Sequence, residues 1–151
     1  MNEIAKPLEN ISSLITFQLG GEMFCTDMQN IVQIIDPTEL DQEKDLNFED
    51  SHISIGVNRI PMIDLHKIAG FKFKKISEDN RILIINIDHS NFGIWVEKVD
   101  NIYTLSHDID VEIEFNGNEE ITYLRGILNF KNQKMFLLDL KGLSLADKNI
   151  T

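Results

Sequence analysis

Residues 15–34 read ITFQLGGEMFCTDMQNIVQI, and the fold turns on how this stretch is read. Ile15, Phe17 and Leu19 alternate with Thr16 and Gln18, the period-2 pattern of a half-buried strand. Gly20-Gly21 permits the positive φ that a tight hairpin requires. Glu22–Thr26 forms the return strand, and the turn Asp27-Met28-Gln29-Asn30 leads into the apolar run Ile31–Ile35. The pattern recurs from Leu83 as LIINIDHSNFGIWVEKVDNI. Leu83, Ile85, Ile87, Phe92, Val96, Val99 and Ile102 follow Ile15, Phe17, Leu19, Phe24, Met28, Ile31 and Ile34 at a constant 68 positions.

A second correspondence supports the first. Ile60-Pro61-Met62-Ile63-Asp64-Leu65 recurs 75 positions later as Met135-Phe136-Leu137-Leu138-Asp139-Leu140, so the second copy carries a connection seven residues longer. Hairpin, loop, strand and Asp-Leu thus occur twice in one order, which predicts two similar β modules. Each half of a 151-residue chain is marginal alone, so the halves are expected to share a core. The predicted division is 14–76 and 81–145, separated by the polar run KKISEDN (Lys74–Asn80). Met1–Ser13, with Pro7, reads as a mobile lead-in, and the polar tail 146–151 is expected to fray.

The net charge of −11 opposes nucleic acid or anionic lipid as the main partner. Asp36–Asp50 contributes −6 and Asp108–Glu120 another −6, leaving the remainder at +1. The acidity therefore sits in the two corresponding inter-strand regions of a nearly neutral framework. No signal-peptide pattern and no run of transmembrane length is present, and Cys25 is the only cysteine. A cytoplasmic protein is expected.

Candidate chemistry is sparse. A catalytic Cys25 needs a neighbouring base, yet His52, His66, His89 and His107 fall in loops or at element ends, so a buried strand residue is expected. The acidic run after Ile35 lacks the spacing of a calcium loop and reads as solvated. Asp64 and Asp139 are expected to cap helices or turns, with Asp64–Gly70 one helical turn ended by Gly70. Ile53–Gly56 and Arg59–Asp64 form a hairpin about Val57-Asn58. Trp95 is expected between modules or at an interface. Asp108–Phe115 (DIDVEIEF) alternates strictly and reads as an edge strand with an acidic outer face. Tyr123–Phe130 and Met135–Leu140 form the last hairpin, turning at Lys131-Asn132. No catalytic residue, metal site or cofactor is predicted.

Four pieces in order carry a family resemblance: ITFQLGGEMFCTDMQNIVQII, IPMIDLHKIAG, RILIINIDHSNFGIWVEKVDNIYTL and YLRGILNFKNQKMFLLDLKGL. Over Leu14–Leu143 the chain resembles the CheW-like domains of bacterial chemotaxis. The resemblance implies a mainly β fold of two intertwined five-stranded SH3-like barrels. It implies a non-enzymatic adaptor that joins chemoreceptor cytoplasmic tips to the regulatory domain of a CheA-type histidine kinase. Further CheW-like domains in rings are possible partners, and the implied place is the cytoplasm beneath membrane-bound receptor arrays.

Carried over residue by residue, Ile31 and Gln33 match the strand near the receptor surface. Val99 is the repeat equivalent of Ile31. Gly56, Val57 and Asn58 fall where many members carry an Arg-Gly pair. With Pro61 as anchor, Gly56 replaces that Arg and Val57 its Gly. An aromatic-x-x-Gly pattern has Ser51 in the first copy but keeps Gly126, after Arg125, in the second. All eight are receptor or kinase contact candidates. The divergent, acidic first-half loop suggests an alternative: a variant scaffold with altered receptor binding, serving a dedicated array or a motility-related system. An enzyme using Cys25 or the acidic clusters is a third reading, without a nucleophile–base constellation.

Overall fold

A computed structural model describes residues 3–4, 11–41, 46–47, 52–72, 77–105, 112–115, 117–118 and 120–150. The elements run β1 (Glu3–Ile4), β2 (Ser13–Leu19), β3 (Glu22–Asp27), β4 (Ile31–Ile35), β5 (Leu46–Asn47), β6 (His52–Ile55), β7 (Asn58–Ile63) and α1 (Leu65–Ala69). They continue as β8 (Arg81–Ile87), β9 (Ser90–Val96), β10 (Lys98–Thr104), β11 (Glu112–Phe115), β12 (Leu124–Phe130), β13 (Gln133–Leu138) and α2 (Leu140–Ile150). The chain is mainly β, arranged in two curled sheets.

One sheet has the order β1-β11-β12-β13-β3-β2-β10, the other β4-β8-β9-β7-β6-β5. The division 14–76 and 81–145 therefore separates the chain but not the sheets. The β2–β3 hairpin of the first half sits among strands of the second, and the β8–β9 hairpin among strands of the first. Each joins its host by one antiparallel and one parallel ladder. The registers repeat with the sequence. Ile31 faces Ile85 and Val99 faces Phe17, with a bulge at Ile31/Gln33 and another at Val99/Asn101. In the parallel ladders Met62 faces Gly93 and Leu137 faces Cys25. The 68- and 75-residue offsets convert each pairing into its counterpart.

Three apolar clusters follow from this exchange. Leu14, Cys25, Ile113, Leu128, Phe130, Met135 and Leu137 fill one sheet. Ile35, Ile53, Ile60, Ile82, Ile84 and Trp95 fill the other. Between them lies a shared core that includes Ile15, Phe17, Leu19 and Phe24 of one hairpin and Leu83, Ile85, Ile87 and Ile94 of the other. β2 and β8 thus bury both faces, the odd positions in the shared core and Leu14 or Ile82 in a sheet core. This corrects the half-buried reading of β2. Thr16 is fully buried, and its hydroxyl donates to Asn101 O (3.2 Å) and accepts from Asn101 N (3.0 Å) at the bulge. That pairing removes the penalty a buried hydroxyl otherwise carries.

The turns obey the expected chemistry. Gly20 and Gly21 have φ of 62° and 80°, Asp88 and His89 49° and 70°, Lys131 and Asn132 51° and 62°. Positive φ at both central residues matches the twist of a two-residue hairpin. The first hairpin turn of each copy is tied to a helix start. Gly20 N donates to Glu97 Oε1 (2.8 Å), which lies 3.5 Å from buried His66 Nε2. The repeat equivalents, Asp88 and Lys141, approach to 3.7 Å.

Three other expectations are corrected. The lead-in contributes a strand: Glu3–Ile4 pairs with β11. That pairing makes β1 the edge, so the described part of the alternating segment, β11, is the second strand of its sheet; residues 108–111 lie outside the described residues. Trp95, from the second half, packs inside the six-stranded sheet in one cluster with Ile35, Ile53 and Ile60 of the first, so it lies between the two sequence halves as expected. The tail is helical to Ile150. Gly70, at φ 81°, ends α1 in the left-handed region. Seventy-five positions on stands Leu145, so α2 continues, held by fully buried Leu143 in the shared core. Polarity of 146–150 did not decide the outcome because the anchor lies one turn earlier.

Candidate interaction site

The eight candidate residues fall in three places. Ile31, Gln33 and Val99 lie on β4 and β10, the terminal strands of the two sheets. Gly56, Val57 and Asn58 form the β6–β7 turn, with Gly56 at φ 59° and Val57 fully exposed. Arg125 and Gly126 lie on β12. Ile31 and Gln33 share β4 of the six-stranded sheet, Val99 lies on β10 of the seven-stranded one, and the sheet order places neither the β6–β7 turn nor β12 beside these strands.

Ile31 and Val99 are half-buried against the shared core. Gln33 is exposed. The same two strands carry residues that the sequence reading passed over: Val32 is 56% exposed, Ile34 38% and Ile102 54%. Ile34 and Ile102 are repeat equivalents. The signal was present in the unbroken run IVQII, where a strand bearing apolar residues on both faces is either central or docked on something else. Its position at a sheet edge is a tertiary fact.

Arg125 is exposed and lines a cleft of about 380 Å³ with Asp27, Asn30, Asn86, Asp139 and Lys141. Two of those carboxylates have structural duties. Asp27 Oδ1 accepts from Gln29 N (2.9 Å), and Asp139 Oδ1 accepts from Gly142 N (3.0 Å). Asp64 does the same for α1, accepting from Lys67 N at 3.0 Å. Both Asp-Leu signatures are therefore helix caps. Gly126 is buried, and a Cβ there would lie 2.6 Å from Glu114 O. Its role is to let β11 approach β12.

The remaining titratable groups are structural. Cys25 is buried between its parallel neighbour strand and the sheet core, and burial pushes its thiol up to about 12. It is therefore no thiolate nucleophile at neutral pH. Asp36 is held below the usual carboxylate range, first by the Thr38 hydroxyl and amide. Asp147 on α2 is raised, by burial and then by the Asp64 carboxylate. Among the described residues no cluster of three or more His, Cys, Asp or Glu side chains is placed to hold a metal. Among them, too, no helix is long and apolar enough to cross a membrane.

These features define a duplicated β domain that presents edge strands and turns. A family model for the CheW-like domain matches residues 13–147, and the chain belongs to that family. Among solved structures it is similar to the scaffolding protein TtCheW of Thermoanaerobacter tengcongensis. The TM-score is 0.71 at 20% identity, covering 88% of this chain and 92% of that one, a likeness of fold. A sequence search of curated proteins returned no match.

Proposed function

We propose that this chain is a non-enzymatic chemotaxis scaffold that couples chemoreceptor tips to a CheA-type histidine kinase. The observation that carries the reading is the family match over residues 13–147. Two features of the molecule agree with it. The interior is committed to packing, with Cys25, Asp64 and Asp139 in structural roles. Among the described residues, Val32, Ile34 and Ile102 are exposed apolar side chains on terminal strands, where a partner can cover them. On this reading the protein works in the cytoplasm beneath receptor arrays, held there by its partners. Ile31, Gln33 and Val99 belong to the receptor side. Gly56, Val57, Asn58, Arg125 and Gly126 complete the set of contact candidates, Gly126 through the backbone it shapes.

The test is a paired pull-down with the regulatory domain of a CheA-type kinase and a chemoreceptor tip fragment. Retention of both supports coupling. Kinase binding without receptor binding favours the variant scaffold that Gly56, in place of the family's Arg, suggests. Failure to retain either sinks the adaptor reading.

A further inference from the structure

Strands β2–β7 recur as β8–β13, and among the described residues β1 is the one strand without a counterpart. β5 and β11 occupy equivalent places: Leu46 pairs with Ile53, and Ile113 with Leu128, 75 positions further on. β5 ends its sheet, whereas β11 has β1 beside it. The hold of β1 is slight. Two register pairs join it to β11, Glu3 opposite Ile113 and Ile4 opposite Glu112. That phase runs against the alternation of β11. An acidic residue stands opposite the fully buried Ile113, and an isoleucine opposite an acidic residue. Directly opposed residues are the pairs that stabilise an antiparallel ladder, and neither pair is matched here.

The edge itself is well suited to a strand. β11 runs in unbroken register with β12 from Glu112 to Phe115. β1 reaches only Glu112 and Ile113, so among the described residues no strand lies beside the edge at Glu114 and Phe115. Such a row of edge N–H and C=O groups takes up an extended chain. Charge selects the kind of chain. Glu112 and Glu114 alternate with Ile113 and Phe115, and Glu114 is exposed. β12 sets Asn129 and Ile127 opposite the two acids, so neither has a basic residue directly across that ladder. A second copy docked β11 on β11 in matched phase would set acid against acid, which opposes that occupant.

We propose that the edge of β11 is a strand-addition site for an extended protein segment in which apolar residues alternate with Lys or Arg, and that β1 is the chain's own removable cover over it. Such a segment sets apolar residues opposite Ile113 and Phe115 and cations opposite Glu112 and Glu114, the phase that β1 lacks. It can pair along the whole of β11, where β1 pairs with two residues. Lifting β1 breaks only its ladder with β11 and leaves the order β11-β12-β13-β3-β2-β10 in place.

The experiment compares the full chain with the variant Glu3→Pro/Ile4→Pro, in which β1 has no N–H to give a ladder, with thermal melting as the check on folding. The probes are synthetic hexapeptides alternating Lys with Val, Glu with Val, and Lys with Pro. The Lys–Val peptide should bind wild type weakly and the variant about tenfold more tightly, the hold of about one net hydrogen bond being released. The Glu–Val peptide should bind neither chain, and nor should the Lys–Pro peptide, which has the charge but cannot form a ladder. Amide hydrogen exchange supplies a reading that needs no variant: in wild type the β11 amides facing β1 should exchange well before those facing β12, and bound Lys–Val peptide should slow them. Equal affinity of the two chains for the Lys–Val peptide, or equal protection of the two sets of amides, overturns β1 as a removable cover. Binding of the Lys–Pro peptide as tight as that of the Lys–Val peptide overturns strand addition, and absence of Lys–Val binding to the folded variant overturns the site. The scaffold reading stands apart from each of these outcomes.

Discussion

Replacing Gly126 by Ala isolates the role of a residue that the sequence marks and the structure buries. Gly126 pairs with Phe115, and its neighbour Ile127 with Glu114. An added Cβ would stand 2.6 Å from Glu114 O and 3.2 Å from Ile113 Cγ1. Ordinary contact begins at 3.4 Å, so the β11 backbone would have to retreat by about 0.8 Å in a close-packed interior. A carbonyl in a ladder cannot swing aside as a flexible side chain can. Forced overpacking of this kind costs about 1–3 kcal/mol. For a chain of this size each kcal/mol lowers Tm by about 2–4 °C, so a fall of roughly 2–12 °C is expected. Gly117 is the control, since a Cβ there meets nothing within 4 Å, and Gly117→Ala should leave Tm within about 1 °C. Melting followed by circular dichroism or calorimetry reads both variants. If Gly126→Ala melts with wild type, the close approach of β11 to β12 is not what this glycine serves. If it melts early yet binds partners normally when folded in the cold, Gly126 acts through the backbone and not as a contact.

Cys25, with its thiol pushed up to about 12 by burial, should not react with a thiol-specific chromogenic disulfide at pH 8 until the chain is unfolded; rapid labelling of native protein would contradict its place in the core. Asp147 has a folded pKa above the ordinary carboxylate value, so its contribution to stability is full at acid pH and is lost as pH rises through that range. Asp147→Asn should therefore raise Tm at pH 7, with the gain fading toward about pH 3, and a lower Tm at pH 7 would reverse the assignment. Fragments 1–74 and 75–151 should each fail to unfold cooperatively alone and should regain β structure when mixed, because each sheet needs a hairpin from the other half; a cooperative transition from either fragment alone would refute that dependence.

Much of the fold was legible in the sequence because it was written twice. The offsets that align Ile15 with Leu83 and Ile60 with Met135 also align the ladders, the bulges and the two Asp caps. Local chemistry set the hairpin turns at Gly20-Gly21 and Lys131-Asn132 and the end of α1 at Gly70. These depend on a few neighbouring residues, so a single sequence suffices. The family resemblance of the four framework pieces belongs to the same level, as does the concentration of charge after Ile35.

Tertiary structure decided what depends on residues distant in the chain. Alternation in Ile15–Leu19 marks one buried face; only the exchanged hairpin, with Asn101 bonding Thr16, buries the other. Trp95 is apolar wherever it sits, and the closure of the six-stranded sheet placed it inside. The acidic alternation of β11 resembles an edge until Glu3–Ile4 pairs beside it. The length of α2 came from Leu143 in the shared core and from the absence of a Gly70 counterpart. For the candidate site, the family resemblance points to Ile31 and Gln33 and the repeat to Val99, but Val32, Ile34 and Ile102 acquire meaning only from exposure on a terminal strand. Strand order is fixed by long-range hydrogen bonding, which period and propensity do not encode, and surface is what that order leaves uncovered.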